Sequence, residues 1–311
     1  MRRRLRRIVA LCALLPALPL VASLPARAQS SPYVVVALGD SYASGEGLYA
    51  GATPSSPGSW LTRGNHPAPH DDGCHRSPYA YPELVASAIA HRLRRPVTLR
   101  FLACSGATTS DLWPTTVRSP LLAGPEHLEA PQVSARALRQ ADLVTVTIGG
   151  NDVSFVSVLA TCEFQPSLCS GSTGALLAAG VSARIDALAG VLTNLYGKIH
   201  QLAPRATIAA VEYPDLFPPS STTSCQGLAS GSIAYLYAAE NHLNSVIASA
   251  ARASGVRVVN PNSTELFNGH SVCSATSLFG GVHSSYLGAA FHPTRAGQSA
   301  IARAVELSVA G

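Results

Sequence analysis

Four short polar segments carry the residue types that acyl-transfer chemistry requires. The first is Gly39-Asp40-Ser41-Tyr42-Ala43-Ser44-Gly45-Glu46-Gly47, directly after an apolar run. A serine in the turn after a buried strand is held exposed among backbone N–H groups, where a nucleophile must be. Glycines let the chain turn sharply and let a substrate approach the backbone. The same turn also reads as an ordinary strand-to-helix turn with a serine cap. The second segment is Cys104-Ser105-Gly106-Ala107 and the third Gly149-Gly150-Asn151-Asp152. A glycine N–H and an asparagine amide are donors able to hold a developing oxyanion, although each alone is also common turn chemistry. The fourth, Phe291-His292-Pro293-Thr294, offers a histidine as general base.

These segments need elements to position them. Apolar, β-branched runs predict strands at 33–38, 97–103, 143–148, 207–211 and 256–259. Helical patterns fall at 79–92, 233–253 and 296–309. Between them Ile185, Leu188, Leu192, Leu195, Ile199 and Leu202 recur at three- to four-residue spacing and predict a long amphipathic helix. Short, nearly all-apolar strands alternating with helices imply one parallel sheet covered on both faces. Such sheets place ligands at the carboxyl ends of their strands, and the first three polar segments follow strand ends. No linker divides the chain, 51–72 reads as a long loop, and one domain over 29–311 is expected.

The 47% apolar and 13% charged residues exclude disorder. A formal charge of +5 invites a nucleic-acid reading, but the basic residues cluster at the start. Arg2, Arg3, Arg4, Arg6 and Arg7 precede an apolar run at 8–24, broken by Pro16 and Pro19 and closed by Ala26-Arg27-Ala28. That pattern is a secretory signal peptide over 1–28; Leu11 before Cys12 argues against a lipoprotein. Six of the 22 basic residues lie in that segment, leaving 16 against 17 acidic ones, a charge of −1 from Gln29 onward. The nucleic-acid reading leaves with the signal. No other stretch reads as long and apolar enough to span a bilayer. Beyond Cys12 stand Cys74, Cys104, Cys162, Cys169, Cys225 and Cys273. An even set in an exported chain reads as disulfides, with about 15 connectivities open and Cys162 and Cys169 close enough to pair locally. No Cys-x2-Cys spacing suggests zinc.

In this order and spacing, Gly-Asp-Ser-Tyr, Gly106, Gly-Gly-Asn-Asp and the late His-Pro resemble the four blocks of the SGNH (GDSL-type) hydrolases. The resemblance runs over nearly all of the chain beyond residue 28. Cys74-His75-Arg76-Ser77, Ala80-Tyr81-Pro82, Ala103-Cys104-Ser105-Gly106 and the six-cysteine layout are similar to the secreted actinobacterial lipase/esterase branch. The resemblance implies a three-layer α/β/α flavodoxin-like fold on a five-stranded parallel sheet. It implies Ser41 as nucleophile and His292 as general base. The oxyanion hole would be made by the N–H groups of Ser41 and Gly106 and the Asn151 amide. The bridges would be Cys74–Cys104, Cys162–Cys169 and Cys225–Cys273. One position departs from the pattern: many members carry an aspartate three residues before the histidine, and here it is Ala289. The ring still needs an acceptor on its other nitrogen. The expectation is therefore a Ser41–His292 dyad with the carbonyl of Ala289 or Ala290 in the acceptor role, as in some members of the branch.

The implied function is a secreted, monomeric serine hydrolase of carboxylic esters, with acyl lipids or simple fatty esters as substrates. It needs no cofactor, metal, nucleic acid or stable membrane insertion. The alternatives are an acetyl-polysaccharide esterase and a non-catalytic ligand-binding relative. Other features rank lower. Gly269-His270-Ser271-Val272-Cys273 imitates a nucleophile elbow but has no acid between Ser271 and His292. His66, His70, Asp71, Asp72, Cys74 and His75 form a ligand-like group that reads better as a polar loop. Asp40 and Asp152 read as structural hydrogen-bonders, His270 and His283 as loop residues, and Tyr235, Tyr237 and Phe279 as core rather than acyl pocket.

Overall fold

Val34, Val35 and Val36 open strand β1 (Tyr33–Gly39), whose interior is buried on both faces. β-branched residues suit that double burial. In the computed structural model, which describes residues 31–48, 74–113, 130–220, 222–282 and 289–310, the other strands are β2 (Val97–Phe101), β3 (Leu143–Thr147), β4 (Thr207–Val211) and β5 (Arg257–Val259). Residues 1–28 with Cys12, the 51–72 loop with its His66, His70, Asp71 and Asp72, and His283 lie outside the described residues. All pairings are parallel, in the order β2-β1-β3-β4-β5. The order reverses at β1, so β1 and β3 flank the switch point where such sheets bind ligands.

The helices are α1 (Ser41–Ser44), α2 (Tyr81–Leu93), α3 (Thr109–Leu112), α4 (Ala135–Leu138), α5 (Phe155–Phe164), α6 (Gly171–Leu202), α7 (Ser230–Ala253) and α8 (Arg295–Val309). Helix α2 packs with α8 and α6 with α7, which makes the three-layer α/β/α arrangement. Helix α6 starts 14 residues before the periodic leucines begin at Ile185. It also corrects the membrane reading of the sequence, because Gly174–Leu202 is long and apolar enough to cross a bilayer. Much of that apolarity is alanine and glycine on the outer face, including Ala175, Ala179, Ala183, Ala187 and Gly190. Alanine is the strongest helix former, so it serves a water-facing helix as well as a lipid-facing one. Ile185, Leu188, Leu192, Leu195 and Ile199 turn inward and are buried.

The bridges are Cys74–Cys104, Cys162–Cys169 and Cys225–Cys273. The first closes a sequence separation of 30 and ties the start of α2's approach to the turn after β2. Beside it, the Ser105 N–H donates to the Cys74 carbonyl at 3.1 Å. From loop-closure entropy, replacing both cysteines by serine should lower unfolding free energy by about 3–4 kcal/mol. Urea unfolding of Cys74→Ser/Cys104→Ser at pH 7 measures this, and an unchanged midpoint would refute it.

Candidate active site

The end of β1 must pass close to the end of β3, and Gly39 permits it. A Cβ there would lie 2.3 Å from the Thr147 carbonyl, at a φ of +139° that side chains avoid. Gln132, itself buried, clamps the same glycine from both sides: the Gly39 N–H donates to Oε1 at 2.8 Å and Nε2 donates to the Gly39 carbonyl at 2.9 Å. Asp40 then caps the single turn of α1 by accepting from the Tyr42 N–H at 3.0 Å. The turn is held from the α8 side by Gln298, fully buried, whose Nε2 donates to the Tyr42 carbonyl at 3.0 Å. The Gln298 Oε1 accepts from the Tyr81 N–H. Ser41 is thereby fixed at the rim of the sheet with its side chain toward the cavity.

The histidine arrives from the opposite end of the chain. Phe291 adopts φ +61°, a left-handed conformation that costs a non-glycine residue about 1–3 kcal/mol and persists only when its surroundings enforce it. Here they do: the Phe291 N–H donates to the Gly280 carbonyl at 2.7 Å, its carbonyl accepts from the Tyr42 hydroxyl at 2.8 Å, and its ring is buried. The turn places His292 Nε2 2.9 Å from Ser41 Oγ and Nδ1 3.0 Å from the Ala290 carbonyl. A carbonyl can only accept, so Nδ1 carries the proton in that bond. Nε2 then presents its lone pair to the serine hydroxyl. Of the two carbonyls expected from sequence, Ala290 takes this position, while the Ala289 carbonyl accepts from the His292 N–H at 3.2 Å.

Gly106, at φ +84°, and Asn151 sit on the same cavity as Ser41 and His292. Asn151 Nδ2 donates one hydrogen to the Ala107 carbonyl at 2.9 Å, which orients the amide nitrogen rather than its oxygen toward that side. Asp152 ties the two turns together, since its carboxylate accepts from the Thr109 N–H at 3.0 Å and from the Thr109 hydroxyl. All four chemistry-bearing segments therefore meet. Asp40 is buried, Asp152 is half-buried and both are hydrogen-bonded, in keeping with the structural roles read from sequence.

The cavity has a volume of about 470 Å³. Its apolar wall comes from Phe155, Val156, Leu159 and Ala160 on α5 and Leu243 on α7. Helix α5 is absent from the elements expected from sequence, because valine, threonine and cysteine in Phe155–Phe164 are weak helix formers. Tyr235, Tyr237 and Phe279 do not line this cavity; Phe279 packs in the core against Phe267, with ring centroids 5.8 Å apart. Cys74 is in a bridge, and His75 Nδ1 pairs with Glu46 Oε2 at 2.6 Å on the cavity wall. Among the described residues no cluster of His, Cys, Asp and Glu could hold a metal ion. Ser271 stands in a loop outside the cavity, where neighbouring His270 bonds through Nδ1 to the Thr276 carbonyl at 2.7 Å. Tyr42, Gln132, Tyr213 and Gln298 are the residues that sequence reasoning missed. Only Gln298 carried a signal, as a polar residue on the apolar face with Ile301 and Val305.

Burial raises the Asp40 carboxyl from its ordinary 3.8 to about 7, against the opposing pull of its Tyr213 hydrogen bond. Burial likewise raises Asp152 to about 6, opposed by Thr109. Between pH 4 and 7 the folded chain thus retains protons that the unfolded chain has released, so ν_U − ν_N is negative for these groups. Their contribution to stability is complete below pH 4 and is lost as pH rises through 6 to 7. Asp40→Asn should flatten the fall in urea midpoint between pH 4.5 and 7.5 relative to wild type. Parallel curves would refute the assignment.

A model of the GDSL-like lipase/acylhydrolase family matches residues 37–300. Lipase 1 of Streptomyces coelicolor is 34% identical over 265 residues, covering 85% of this chain and 82% of that protein. The crystal structure of an extracellular lipase from Streptomyces rimosus superposes with a TM-score of 0.66 at 28% identity, over 89% of this chain and 100% of that one. A phospholipase A1 from Streptomyces albidoflavus superposes with a TM-score of 0.63 at 30% identity, over 90% of this chain and 100% of that one.

Proposed function

The chain belongs to the GDSL-like lipase/acylhydrolase family of carboxylic ester hydrolases, and from that premise we propose that it cleaves acyl-lipid or simple fatty esters through an acyl-enzyme on Ser41. The observation that carries the mechanism is the 2.9 Å contact between Ser41 Oγ and His292 Nε2 at the edge of the cavity. His292 Nε2 takes the hydroxyl proton as Oγ bonds to the ester carbonyl carbon. The carbonyl oxygen becomes an oxyanion held by the N–H groups of Ser41 and Gly106 and by Asn151 Nδ2. As the tetrahedral adduct collapses, the carbon–alkoxy bond breaks and His292 returns the proton to the leaving oxygen, releasing the alcohol. Water then enters, gives a proton to Nε2 and attacks the acyl carbon; collapse frees the carboxylic acid and re-protonates Ser41. The Ala290 carbonyl holds the ring and accepts from Nδ1–H throughout. A neutral carbonyl stabilises imidazolium less than a carboxylate does, and that costs some rate.

The apolar α5–α7 wall supports an acyl chain as the recognised part, and one relative is a phospholipase A1. Secretion as a monomer after removal of residues 1–28 is part of the same reading. Secretion is supported by the Arg-rich leader, the three bridges and the extracellular lipase among the similar structures. The test is hydrolysis of p-nitrophenyl esters from acetyl to palmitoyl. Activity should rise beyond acetyl, and Ala160→Trp, which fills the wall, should lower kcat/KM for the long chains about 10-fold more than for acetyl, within the range that lost apolar contacts in a pocket produce. Activity confined to acetylated xylan would overturn the lipid preference.

A further inference from the structure

We propose that Tyr213 is a positioning residue whose hydroxyl couples the nucleophile turn to the oxyanion turn. The inference rests on the serine-hydrolase reading above and adds to it a residue that touches none of the reacting atoms. Tyr213 follows β4, and its backbone is locked before its side chain does anything. Its N–H donates to Asn244 Oδ1 at 2.9 Å, and its carbonyl accepts from Asn244 Nδ2 at 2.8 Å. A further donor, Asn262 Nδ2, reaches the same carbonyl at 3.2 Å. From that anchor the phenol reaches across the carboxyl ends of β3 and β1.

Its hydroxyl is saturated in two directions. The lone pair accepts from the Gly150 N–H at 2.9 Å, and the single proton is donated to Asp40 Oδ2. The other oxygen of Asp40 accepts from the Tyr42 N–H at 3.0 Å. A continuous relay therefore runs from Gly150, beside Asn151, to Asp40 and Tyr42, which flank Ser41. This one oxygen atom bridges the two turns beyond the last β1–β3 backbone bond, which the Asp40 N–H makes to the Thr147 carbonyl at 3.1 Å. Approach is tight, since a Cβ on Gly150 would lie 3.2 Å from that hydroxyl. The ring is fixed as well: Tyr42 meets it edge-on at 5.1 Å and sits 5.4 Å from the His292 ring. A misplacement of about 1 Å in such a constellation costs on the order of 100-fold in rate.

Tyr213→Phe keeps the ring and removes only the relay. The experiment compares it with wild type in p-nitrophenyl butyrate hydrolysis and in the rate of Ser41 labelling by an organophosphonate ester, which also builds a tetrahedral, oxyanion-bearing centre. Label stoichiometry counts folded active sites, so misfolded protein does not enter the rates. The expected result is a fall in kcat of about 10–100-fold with KM within about twofold, and an equal fall in labelling rate. Asp40→Asn, which disturbs the same relay from its other end, should act in the same direction. The Tyr213→Phe/Asp40→Asn double variant should lose far less than the product of the two single losses. A kcat within twofold of wild type in Tyr213→Phe, or in Asp40→Asn where Tyr213→Phe does not fold, overturns the proposal. So does a loss confined to KM or to thermal stability. If wild type itself neither hydrolyses the ester nor takes up one label on Ser41, it is the serine-hydrolase reading that fails.

Discussion

Ser41→Ala should lower kcat for ester hydrolysis on the order of 10⁶-fold while leaving KM nearly unchanged, and His292→Ala should do almost the same. The two groups act as one unit, because Oγ is nucleophilic only while Nε2, 2.9 Å away, removes its proton. Once either is gone, the other has nothing left to do, so the double variant should be no slower than the worse single one. Residual rate above water would come from binding and the oxyanion donors alone. Steady-state kinetics on p-nitrophenyl butyrate decide the matter, with circular dichroism to show that each variant is folded, since neither retains an activated serine to label. More than about 1% of wild-type kcat in His292→Ala would assign the base elsewhere, since general-base removal costs at least that much.

The second large effect belongs to Asn151. Loss of a single side-chain oxyanion donor lowers kcat by about 10²–10³-fold, and Asn151→Ala should fall in that range. Asn151→Asp should be worse than alanine despite its closer shape. A carboxylate would face the Ala107 carbonyl, to which Nδ2 now donates at 2.9 Å, and would also oppose the negative charge growing on the substrate oxygen. A deficit in kcat with KM preserved is the expected signature. An aspartate variant more active than the alanine one would show that the Asn151 side chain does not face the developing oxyanion.

The strands were nearly complete in the sequence. β4 runs over the 207–211 expected for it, and β1 differs by one terminal glycine. Continuous β-branched burial is a strong local signal, because a strand covered on both faces has no polar side to confuse the pattern. The helices were less legible where their faces were not amphipathic. The first 14 residues of α6 are dominated by Gly, Ala and Ser, and α5 by residues with little helix preference, so neither displays a period. Missing α5 removed the cavity's main apolar wall from view.

Within the site, local composition already named the candidate chemistry: a serine, a glycine, an asparagine and a histidine in turns bordering the sheet. Turn composition and strand ends are local properties, so residue order suffices to read them. Tertiary structure alone decided which carbonyl serves the histidine. Ala289 and Ala290 were equivalent on paper, and the left-handed Phe291, held by the Gly280 segment and the Tyr42 hydroxyl, turns the ring onto Ala290. It alone decided, too, that Gln132, Gln298 and Tyr213 brace the nucleophile turn from 93, 256 and 173 residues away in the chain. Contacts at such separations arise from strand order and helix packing; apart from Gln298, a polar residue on an apolar helix face, a linear pattern carries no trace of them because each partner's neighbours are ordinary. The candidate catalytic groups were written in four local words, while the distances that bring them together come from parallel strands in register.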